Sequence, residues 1–375
     1  MNVLHLGKFY PPAKGGIETI LKLVCDRTSA AVSNRVLVAN HAAGGATELS
    51  GSTEIVRLPV LKKVGAVALC PALPMRLARE KADLIVLHEP NPMALLAYYL
   101  ARPPGKLIVW FHSEVIRPSW RYRLFYRPFL QFALSRASRI IVASPTLAAS
   151  TLQLREWQSK CVVIPYGIDV EEASADTIRR SDAIRAAEQR PIILFVGRLV
   201  GYKGVDVLLE AMRGVNAVAL LVGEGPERAA LGQKAHVLGV EDCVRFLGEV
   251  TDQELAALYG ACDLLVLPSV TRQEAFGVVQ LEAMTRGRPV ISTDLGTGTA
   301  WVNQHGETGL VVPPRDAPAL RDAMQQLLSD PSRRSALGAA GAKRARAVFT
   351  VDRMIASVLS LYRDVMGEDE RQAVA

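Results

Sequence analysis

The sequence of 375 residues predicts an α/β protein built from two doubly wound, Rossmann-like domains that face each other across a cleft. Short apolar runs alternate with helical patterns along the whole chain, which is typical of parallel sheets covered by helices. These runs form two series, and a polar stretch poor in strand formers separates them. The length is sufficient for two hydrophobic cores.

The predicted strands fall into one series per domain. The first series covers residues 3–7, 35–40, 84–87, 107–111, 139–143 and 162–164. The second series covers residues 191–197, 217–223, 244–247, 264–267, 289–292 and 309–312. We therefore predict a first domain at 1–170, a linker at 171–190 and a second domain at 191–350. The segment 351–375 is predicted to form an amphipathic helix with a short tail, and the helix returns to the first domain.

Composition and charge narrow the class of protein. Half of the residues are hydrophobic and 22% are charged, which is typical of a globular chain. No apolar run is long enough to span a membrane, and the apolar start is predicted to be a strand rather than a signal peptide. The five cysteines are scattered, so we expect neither a disulfide framework nor a zinc site, and a cytoplasmic location fits. Residues 1–180 contain 23 basic and 13 acidic side chains, so an anionic surface is expected to contact this half only.

Two carboxylates eight positions apart are the most informative feature of the chain. Glu274 follows a predicted strand, so it should lie on a loop at the carboxyl end of that strand, where ligands bind in α/β sheets. Glu282 lies in the following helix, between apolar neighbours. A carboxylate in apolar surroundings needs hydrogen-bond donors, and a polyhydroxylated ligand can supply two to one carboxylate.

Cations and glycines follow other strands. Arg198 and Lys203 stand on the loop after the first strand of the second domain, where the pair could bind phosphate. Gly15 and Gly16 precede a helix in the first domain, and helix N-termini attract phosphate. Glu224 lies in a glycine-rich turn that either contacts a nucleotide or is only a tight turn.

His112 follows a strand of the first domain. A lone histidine is more often structural, but polar neighbours and the position at a strand end favour a role in a site.

Together these motifs resemble the retaining glycosyltransferases of the GT-B fold, specifically glycosyltransferase family 4. The matching segments span nearly the whole chain, in the family's order. They are Gly-Gly-Ile-Glu at 15–18, Ile-Pro-Tyr-Gly-Ile-Asp at 164–169, Gly-Arg at 197–198 with Lys203, Gly-Glu-Gly-Pro at 223–226 and the Glu-x7-Glu segment at 274–282.

The resemblance implies a role for each matched residue. Arg198 and Lys203 would neutralise the diphosphate of a nucleotide-sugar donor, helped by amides at Gly15 and Gly16. Glu274 would bind hydroxyls of the transferred sugar and Glu282 those of the ribose. The remaining donor contacts would come from Glu224, from the backbone around Phe276, Gly277 and Val278, and from His112 near the sugar. The group assigned to catalysis is His112, Glu274, Arg198 and Lys203.

The resemblance also implies the chemistry. A nucleoside diphosphate leaves an anomeric carbon, and cations stabilise the negative charge that collects on the phosphate. The chain lacks Asp-x-Asp, the common metal-binding signature of other glycosyltransferases, so we expect neither a required metal nor another cofactor. The resemblance implies retention by a front-face process with the donor phosphate as the base, and no covalent nucleophile is evident in the sequence.

Segments around Gln280 and at 296–310 resemble bacterial mannosyl- and rhamnosyltransferases of O-antigen or exopolysaccharide synthesis. By analogy we expect GDP-mannose or a GDP-deoxymannose as the donor and a lipid-linked or polysaccharide acceptor. UDP-hexoses stay open as an alternative.

Residues 117–139 contain six arginines, six aromatic residues and no acid. Either the aromatic residues belong to the core and the arginines to an ordinary surface, or the segment contacts the inner face of the cytoplasmic membrane. We favour peripheral membrane contact. The residues assigned to it are Arg117, Trp120, Arg121, Arg123 and Arg127.

Other classes of protein fit less well. A non-catalytic nucleotide-sugar binding module would be expected to lack Glu274 or Lys203, and both are present. A UDP-sugar enzyme with a small soluble acceptor is a closer alternative. No recognised nucleic-acid motif accompanies the basic half, so we expect no nucleic-acid partner.

Overall fold

The computed structural model of the protein describes residues 1–13, 15–40, 44–64, 67–115, 120–170 and 173–367. Arg117 and the side chain of Arg121, both assigned to membrane contact above, lie outside the described residues. The chain divides into two compact units. One consists of residues 1–166 with the segment from Asp352 onward, and the other of residues 167–351.

The strands and helices alternate along most of the chain. The strands are β1 Asn2–Leu6, β2 Ser33–Ala39, β3 Ala46–Ser50, β4 Thr53–Leu58, β5 Lys62–Val64, β6 Val67–Leu69, β7 Leu84–Glu89, β8 Lys106–Phe111, β9 Arg139–Val142, β10 Cys161–Val163, β11 Ile192–Val196, β12 Val218–Val222, β13 Val244–Gly248, β14 Leu264–Leu267, β15 Val290–Thr293 and β16 Gly309–Val312. The α-helices are α1 Gly16–Thr28, α2 Leu73–Leu77, α3 Pro92–Ala101, α4 Trp120–Phe125, α5 Arg127–Arg136, α6 Pro145–Ser150, α7 Ala175–Ala187, α8 Val205–Ala211, α9 Arg228–Leu238, α10 Asp252–Ala261, α11 Val279–Thr285, α12 Gly298–Val302, α13 Ala317–Ser329, α14 Pro331–Val348 and α15 Val351–Met366. Short 3₁₀ segments cover Leu152–Lys160, Gly201–Lys203 and Glu241–Cys243.

The first unit contains a sheet with the strand order β10-β9-β8-β7-β1-β2-β4-β3. Every neighbouring pair is parallel except β3 with β4. The order reverses beside β1, so β1 and β7 border the topological switch point where open α/β sheets bind ligands. Strands β1, β7 and β8 are nearly completely buried because helices cover both faces of a parallel sheet.

The second unit contains a six-stranded parallel sheet with the order β13-β12-β11-β14-β15-β16. Its order reverses beside β11, which lies between β12 and β14. The core is aliphatic and continuous, and it includes Phe195, Leu221, Val266, Ile291 and Met324. This architecture matches the predicted pair of doubly wound domains.

No strand was predicted between residues 40 and 84, but the structure has the four strands β3–β6 there. Strand β3 lies at the exposed edge of the sheet, and its polar residues lack a buried face from which alternation could be recognised. The turn between β3 and β4 contains Gly51 at φ 59°, a left-handed conformation that favours glycine.

The stretch assigned to a linker, 171–190, differs in the structure because it includes helix α7. This helix packs on α10, and the Ser181 hydroxyl donates to the carbonyl of Ala257 at 3.0 Å. A side chain at Gly260 would clash with Ser181, so the two helices approach closely. The polar sequence of α7 concealed this packing because only Thr177 and Ser181 are buried.

Helix α15 belongs to the first unit, as predicted. Its Tyr362 ring is completely buried, and the ammonium of Lys106 in β8 donates to the carbonyl of Val365. An ion pair joins Arg139 to Asp364 at 3.7 Å between exposed side chains.

Candidate active site

In the second unit, the loop after β11 carries Lys203 to the carboxyl edge of the sheet. The Lys203 amide donates to the carbonyl of Val200 at 2.9 Å and closes the 3₁₀ turn. Gly204 follows at φ 68°, and a Cβ there would lie 2.0 Å from the carbonyl oxygen of Pro268. Only glycine permits this close approach, which brings Lys203 beside the loop after β14.

Lys203 and Glu274 form a nearly buried ion pair. The Lys203 Nζ lies 2.6 Å from the Glu274 Oε2, and the side chains are only 12% and 10% exposed. The buried Ser269 hydroxyl donates to the same oxygen at 3.0 Å. Burial by itself lowers the pKa of Lys203, but the charge of Glu274 and the neighbouring Tyr202 outweigh burial, so the pKa is raised above its ordinary value. The structure thus joins two residues that were predicted separately.

The segment after Glu274 is fixed by its own contacts. The Thr297 hydroxyl donates to the carbonyl of Glu274 at 2.8 Å. The buried Phe276 ring packs against Trp301 and, edge to face, against Phe349.

Gly277 then turns the chain at φ 74° into α11. Among the described residues, the amides of Gly277 and Val278 make no hydrogen bond. Two backbone donors are therefore available at this turn.

Glu282 has partners of its own. It lies in α11, partly exposed, and accepts a hydrogen bond from the hydroxyl of the buried Tyr259 in α10. Burial raises the pKa of the Glu282 carboxyl, and the Tyr259 hydrogen bond opposes that rise. Glu282 thus has a donor in the free protein, as a carboxylate in apolar surroundings requires, although the sequence did not single out Tyr259.

Arg198 and Glu224 stand on adjacent loops, and both are exposed. The Leu199 amide donates to the carbonyl of Glu224 at 3.0 Å, which ties the two loops together. A Cβ at Gly223 would lie 2.2 Å from the carbonyl oxygen of Gly197, so a glycine is needed there as well. The Arg198 guanidinium has no hydrogen bond or ion pair with any residue that the structure describes.

In the first unit, Gly15 and Gly16 begin α1. A Cβ at Gly15 would lie 2.1 Å from the Glu18 Oε2, so the Glu18 carboxylate folds back over the first turn of its own helix. Gly16 is exposed, with open space around its Cα. The phosphate role assigned to this glycine pair stays a prediction.

His112 follows β8 and is 3% exposed. Its Nε2 lies 2.9 Å from the Nδ1 of His88, and its Nδ1 lies 2.6 Å from the hydroxyl of Tyr166. Both ring nitrogens are therefore already paired with protein groups. His88 did not stand out in the sequence, and Tyr166 was matched only as part of the segment 164–169, because nothing in their local pattern indicates the side chains they meet.

The basic and aromatic segment separates into two parts. Trp120, Leu124 and Phe125 of α4 are 65%, 61% and 58% exposed. Arg123 and Arg127 are exposed beside them.

The rest of the segment is packed. Tyr126 is buried, while Phe129 and Phe132 pack edge to face on Tyr99. The aromatic residues of α5 therefore pack in the protein, as the first of the two interpretations predicts. Helix α4 instead presents an exposed apolar surface. Within the described ranges, no helix is both long and apolar enough to cross a membrane, and no three His, Cys, Asp or Glu side chains are grouped to hold a metal.

Comparison with known proteins agrees with this architecture. The protein-family model described as "Glycosyltransferase Family 4" matches residues 14–172, and the family model described as "Glycosyl transferases group 1" matches residues 176–344. The chain is 34% identical to D-rhamnosyltransferase WbpZ of Pseudomonas aeruginosa, over 93% of this chain and 92% of the relative. It is 31% identical to O-antigen chain mannosyltransferase C of Escherichia coli, over 98% of this chain and 99% of the relative.

Solved structures show the same fold. Sucrose-phosphate synthase from Thermosynechococcus elongatus superposes with a TM-score of 0.77 at 24% identity, covering 98% of this chain and 99% of that one. WaaG, a glycosyltransferase involved in lipopolysaccharide biosynthesis, superposes with a TM-score of 0.75 at 21% identity, covering 96% and 99%. The chain has the GT-B fold and belongs to glycosyltransferase family 4.

Proposed function

We propose that the protein is a retaining, metal-independent transferase that moves mannose or a deoxymannose from a GDP-sugar to a lipid-linked or polysaccharide acceptor in bacterial surface-glycan synthesis. The observation that carries the proposal is the buried pair of Lys203 and Glu274 at the carboxyl edge of the second sheet. When a donor binds, the cation and the carboxylate of this pair can each bind a different part of it. The ammonium then meets phosphate and the carboxylate meets sugar hydroxyls.

Three further groups suit a diphosphate at this edge. Arg198 is exposed and uncommitted among the described residues, and its planar fork can bind phosphate with two hydrogen bonds. The amides of Gly277 and Val278 add donors that need no side-chain movement. As the bond to the anomeric carbon breaks, negative charge collects on the leaving phosphate, and these donors stabilise it.

The remaining chemistry follows from the same charges. Two cations at the phosphate supply the electrostatic stabilisation that a divalent ion gives elsewhere, which supports transfer without metal. The departing phosphate oxygen takes the proton of the acceptor hydroxyl, which attacks from the face that the phosphate leaves. The product then keeps the configuration of the donor.

The choice of sugar rests on the relatives. Two are named as a D-rhamnosyltransferase and an O-antigen chain mannosyltransferase, and a third, from Mycobacterium tuberculosis, is named as GDP-mannose-dependent at 29% identity. Both rhamnose and mannose transfer fit a GDP-linked donor of the mannose series. UDP-hexose with a small soluble acceptor is the alternative that the experiment must separate.

A titration of the full-length protein with GDP-, UDP- and ADP-sugars tests the donor. We expect GDP-mannose or a GDP-deoxymannose to bind most tightly, and transfer to continue in excess chelator with a product of retained anomeric configuration. Lys203→Met should weaken binding about 10-fold or more, since a charge-assisted hydrogen bond contributes about 1.5–3 kcal/mol. Lys234→Met is the matched control. The Lys234 Nζ pairs with the Glu210 Oε1 at 2.6 Å, and this pair does not belong to the candidate site.

Each part of the donor proposal has its own contrary outcome. Unchanged binding in Lys203→Met would reject the site. Tighter binding of a UDP-sugar would reject the GDP donor. Activity abolished by chelator and restored by a divalent ion would reject metal independence.

The exposed face of α4 supports peripheral contact with the inner face of the cytoplasmic membrane. Trp120, Leu124 and Phe125 present an apolar surface, while Arg123 and Arg127 can attract anionic headgroups. An acceptor with a lipid anchor would place the enzyme at such a surface.

Vesicle sedimentation at low salt tests membrane contact. Vesicles rich in anionic lipid should retain the wild type, and vesicles of neutral lipid should retain less of it. Replacing Trp120, Leu124 and Phe125 by serine should release the protein. Leu152→Ser is the matched control, since Leu152 is 82% exposed elsewhere in the first unit. Equal retention of the triple variant and the wild type would remove α4 from the proposal.

A further inference from the structure

A continuous chain of buried side chains crosses four strands of the first unit. It runs from Asn34 in β2 through His5 in β1 and His88 in β7 to His112 after β8, and it ends on Tyr166. The successive distances are 3.3 Å, 3.1 Å, 2.9 Å and 2.6 Å. All five side chains are at most 6% exposed. Each histidine therefore has both ring nitrogens paired inside the protein.

The orientation of Asn34 fixes one end of this chain. Its Nδ2 donates to the carbonyl of Cys25 at 3.0 Å and to the Oγ1 of Thr28 at 2.9 Å. The Thr28 hydroxyl donates its proton to the carbonyl of Val24 at 2.7 Å. Its Oγ1 can therefore only accept from Asn34. With both amide protons placed, the Asn34 Oδ1 faces His5 as an acceptor.

One orientation of donors then follows along the whole chain. A neutral imidazole has one N–H and one acceptor nitrogen. His5 must donate from Nε2 to Asn34, so its Nδ1 accepts from the Nε2 of His88. His88 in turn accepts on Nδ1 from the Nε2 of His112. The Nδ1 of His112 is left as an acceptor and receives the hydroxyl proton of Tyr166.

The chain is uncharged at neutral pH. Burial lowers the pKa of His5 to about 4 and that of His112 to about 3. Burial, with the two neighbouring histidines, also lowers the pKa of His88 well below its ordinary value. The amide of Asn34 cannot take up a proton at neutral pH. The chain is therefore suited to orienting a ring and not to carrying a proton away.

The Trp110 ring adds a rigid wall. It lies 5.5 Å from the rings of both His88 and His112 and is nearly parallel to them, at 19° and 8°. The near-parallel packing of this buried indole restrains the planes of both imidazoles, and the order of hydrogen bonds then sets which ring nitrogen carries the proton.

We infer that Asn34, His5 and His88 are positioning residues that set the tautomer of His112, so that its Nδ1 accepts a hydrogen bond and never donates one. The tautomer follows from the structure alone, and its use in catalysis rests on the proposed function. A ligand that takes the place of the Tyr166 hydroxyl must then bring its own hydroxyl donor, as a sugar does. A phosphate or carboxylate oxygen would meet an acceptor and be rejected.

Nitrogen-15 NMR of the histidines in the full-length protein tests the tautomers directly. The two-bond proton–nitrogen spectrum distinguishes a protonated from an unprotonated ring nitrogen. For His5, His88 and His112 we expect a proton on Nε2, none on Nδ1 and no titration between about pH 5 and 8. Single His→Gln variants at His41 and at the exposed His236 and His305 assign the remaining three signals. A proton on Nδ1, or a cation, at any of the three buried rings would overturn the inference.

Two variants test whether Asn34 sets the order. Thr28→Val removes one acceptor of the Asn34 amide, and Thr28→Ser retains it as the matched control. We expect mixed tautomers for His112 in Asn34→Leu, a smaller share of the second tautomer in Thr28→Val, where the Cys25 carbonyl still accepts from the Asn34 amide, and the wild-type spectrum in Thr28→Ser. Unchanged tautomers in all three would show that Asn34 does not control the chain.

Kinetics separate the use of His112 from its tautomer. In Asn34→Leu we expect kcat to fall about 10-fold, as when partners that orient a ligating group are lost, with a smaller change in the KM for the donor. Mixed tautomers with an unchanged kcat would reject the positioning role. An inactive wild type with the expected tautomers would instead reject the proposed function.

Discussion

Replacing Glu274 by glutamine tests the physical basis of the candidate site most directly. The change is nearly isosteric and retains the contact with Ser269, but it leaves the Lys203 ammonium without its counter-ion in a position only 12% exposed. We expect a large loss of stability because a buried charge without a partner is costly.

The magnitude follows from the geometry. At the observed 2.6 Å, two unit charges attract by about 6 kcal/mol at an effective dielectric constant of about 20. Losing one partner of such a pair costs about 3–5 kcal/mol. The cost cannot exceed about 5 kcal/mol, because Lys203 can lose its proton instead of staying charged. At pH 7 this proton loss costs about 1.36 kcal/mol for each of the about 3.4 units between that pH and the ordinary lysine pKa.

The sign of the pH dependence is also fixed. In the wild type the pKa of Lys203 is raised, so its contribution to stability is complete below the ordinary lysine pKa and is lost only above it. In Glu274→Gln the charge and the hydrogen bond of Glu274 are lost, and burial, the largest influence, lowers the pKa of Lys203 against the smaller opposing effect of Tyr202. The unfolded variant then binds more protons than the folded one at neutral pH, so its deficit should shrink by up to about 1.4 kcal/mol per pH unit between pH 7 and 9.

Urea unfolding followed by circular dichroism measures the free energy of unfolding at pH 7 and pH 9. The variants compared are Glu274→Gln, Lys203→Met and the double variant Glu274→Gln/Lys203→Met. The double variant should be more stable than the sum of the single losses predicts, by about 2 kcal/mol or more, because it leaves no buried charge. Strictly additive losses, a deficit below about 1 kcal/mol, or a deficit that does not shrink at pH 9 would refute the reasoning.

Three further predictions concern other parts of the site and fold. Glu282→Gln should raise the Kd for GDP by about 10-fold in calorimetry and Tyr259→Phe by less, since only the first loses an acceptor for ribose hydroxyls; equal Kd values for Glu282→Gln and wild type would contradict the ribose role. Burial raises the pKa of Glu89 to about 8, so the folded state keeps a proton that the unfolded state releases. The wild type should therefore lose about 2 kcal/mol relative to Glu89→Gln between pH 6 and 8, measured by urea unfolding at both pH values, and parallel curves would contradict it. Gly277→Ala should lower stability by about 1–3 kcal/mol in thermal unfolding, because φ is 74° and a Cβ would lie 2.5 Å from a leucine methyl. Gly306→Ala is its control, with φ 77° and open space, and equal losses in both would show that the clash contributes nothing.

Much of the fold was predictable because buried parallel strands leave an unbroken apolar run in the sequence. Strand β14, for example, is predicted and observed over the same residues, Leu264–Leu267. The edge strand β3 and helix α7 were not predictable, because each has few buried residues and its place depends on a distant partner. The order and spacing of the glycines, cations and carboxylates were sufficient to predict the family.

The sequence by itself determined that two doubly wound domains form and that Lys203 and Glu274 both follow strands, since strand ends and glycine turns are local properties. Only the tertiary structure decided that these two side chains form one buried ion pair, because 71 positions separate them along the chain. The same holds for the histidines at 5, 88 and 112. Their spacing carries no periodic signal, and they meet because β1, β7 and β8 are neighbours in the sheet. Contacts between distant residues depend on strand order, and strand order is settled by packing of the whole unit and not by any local pattern.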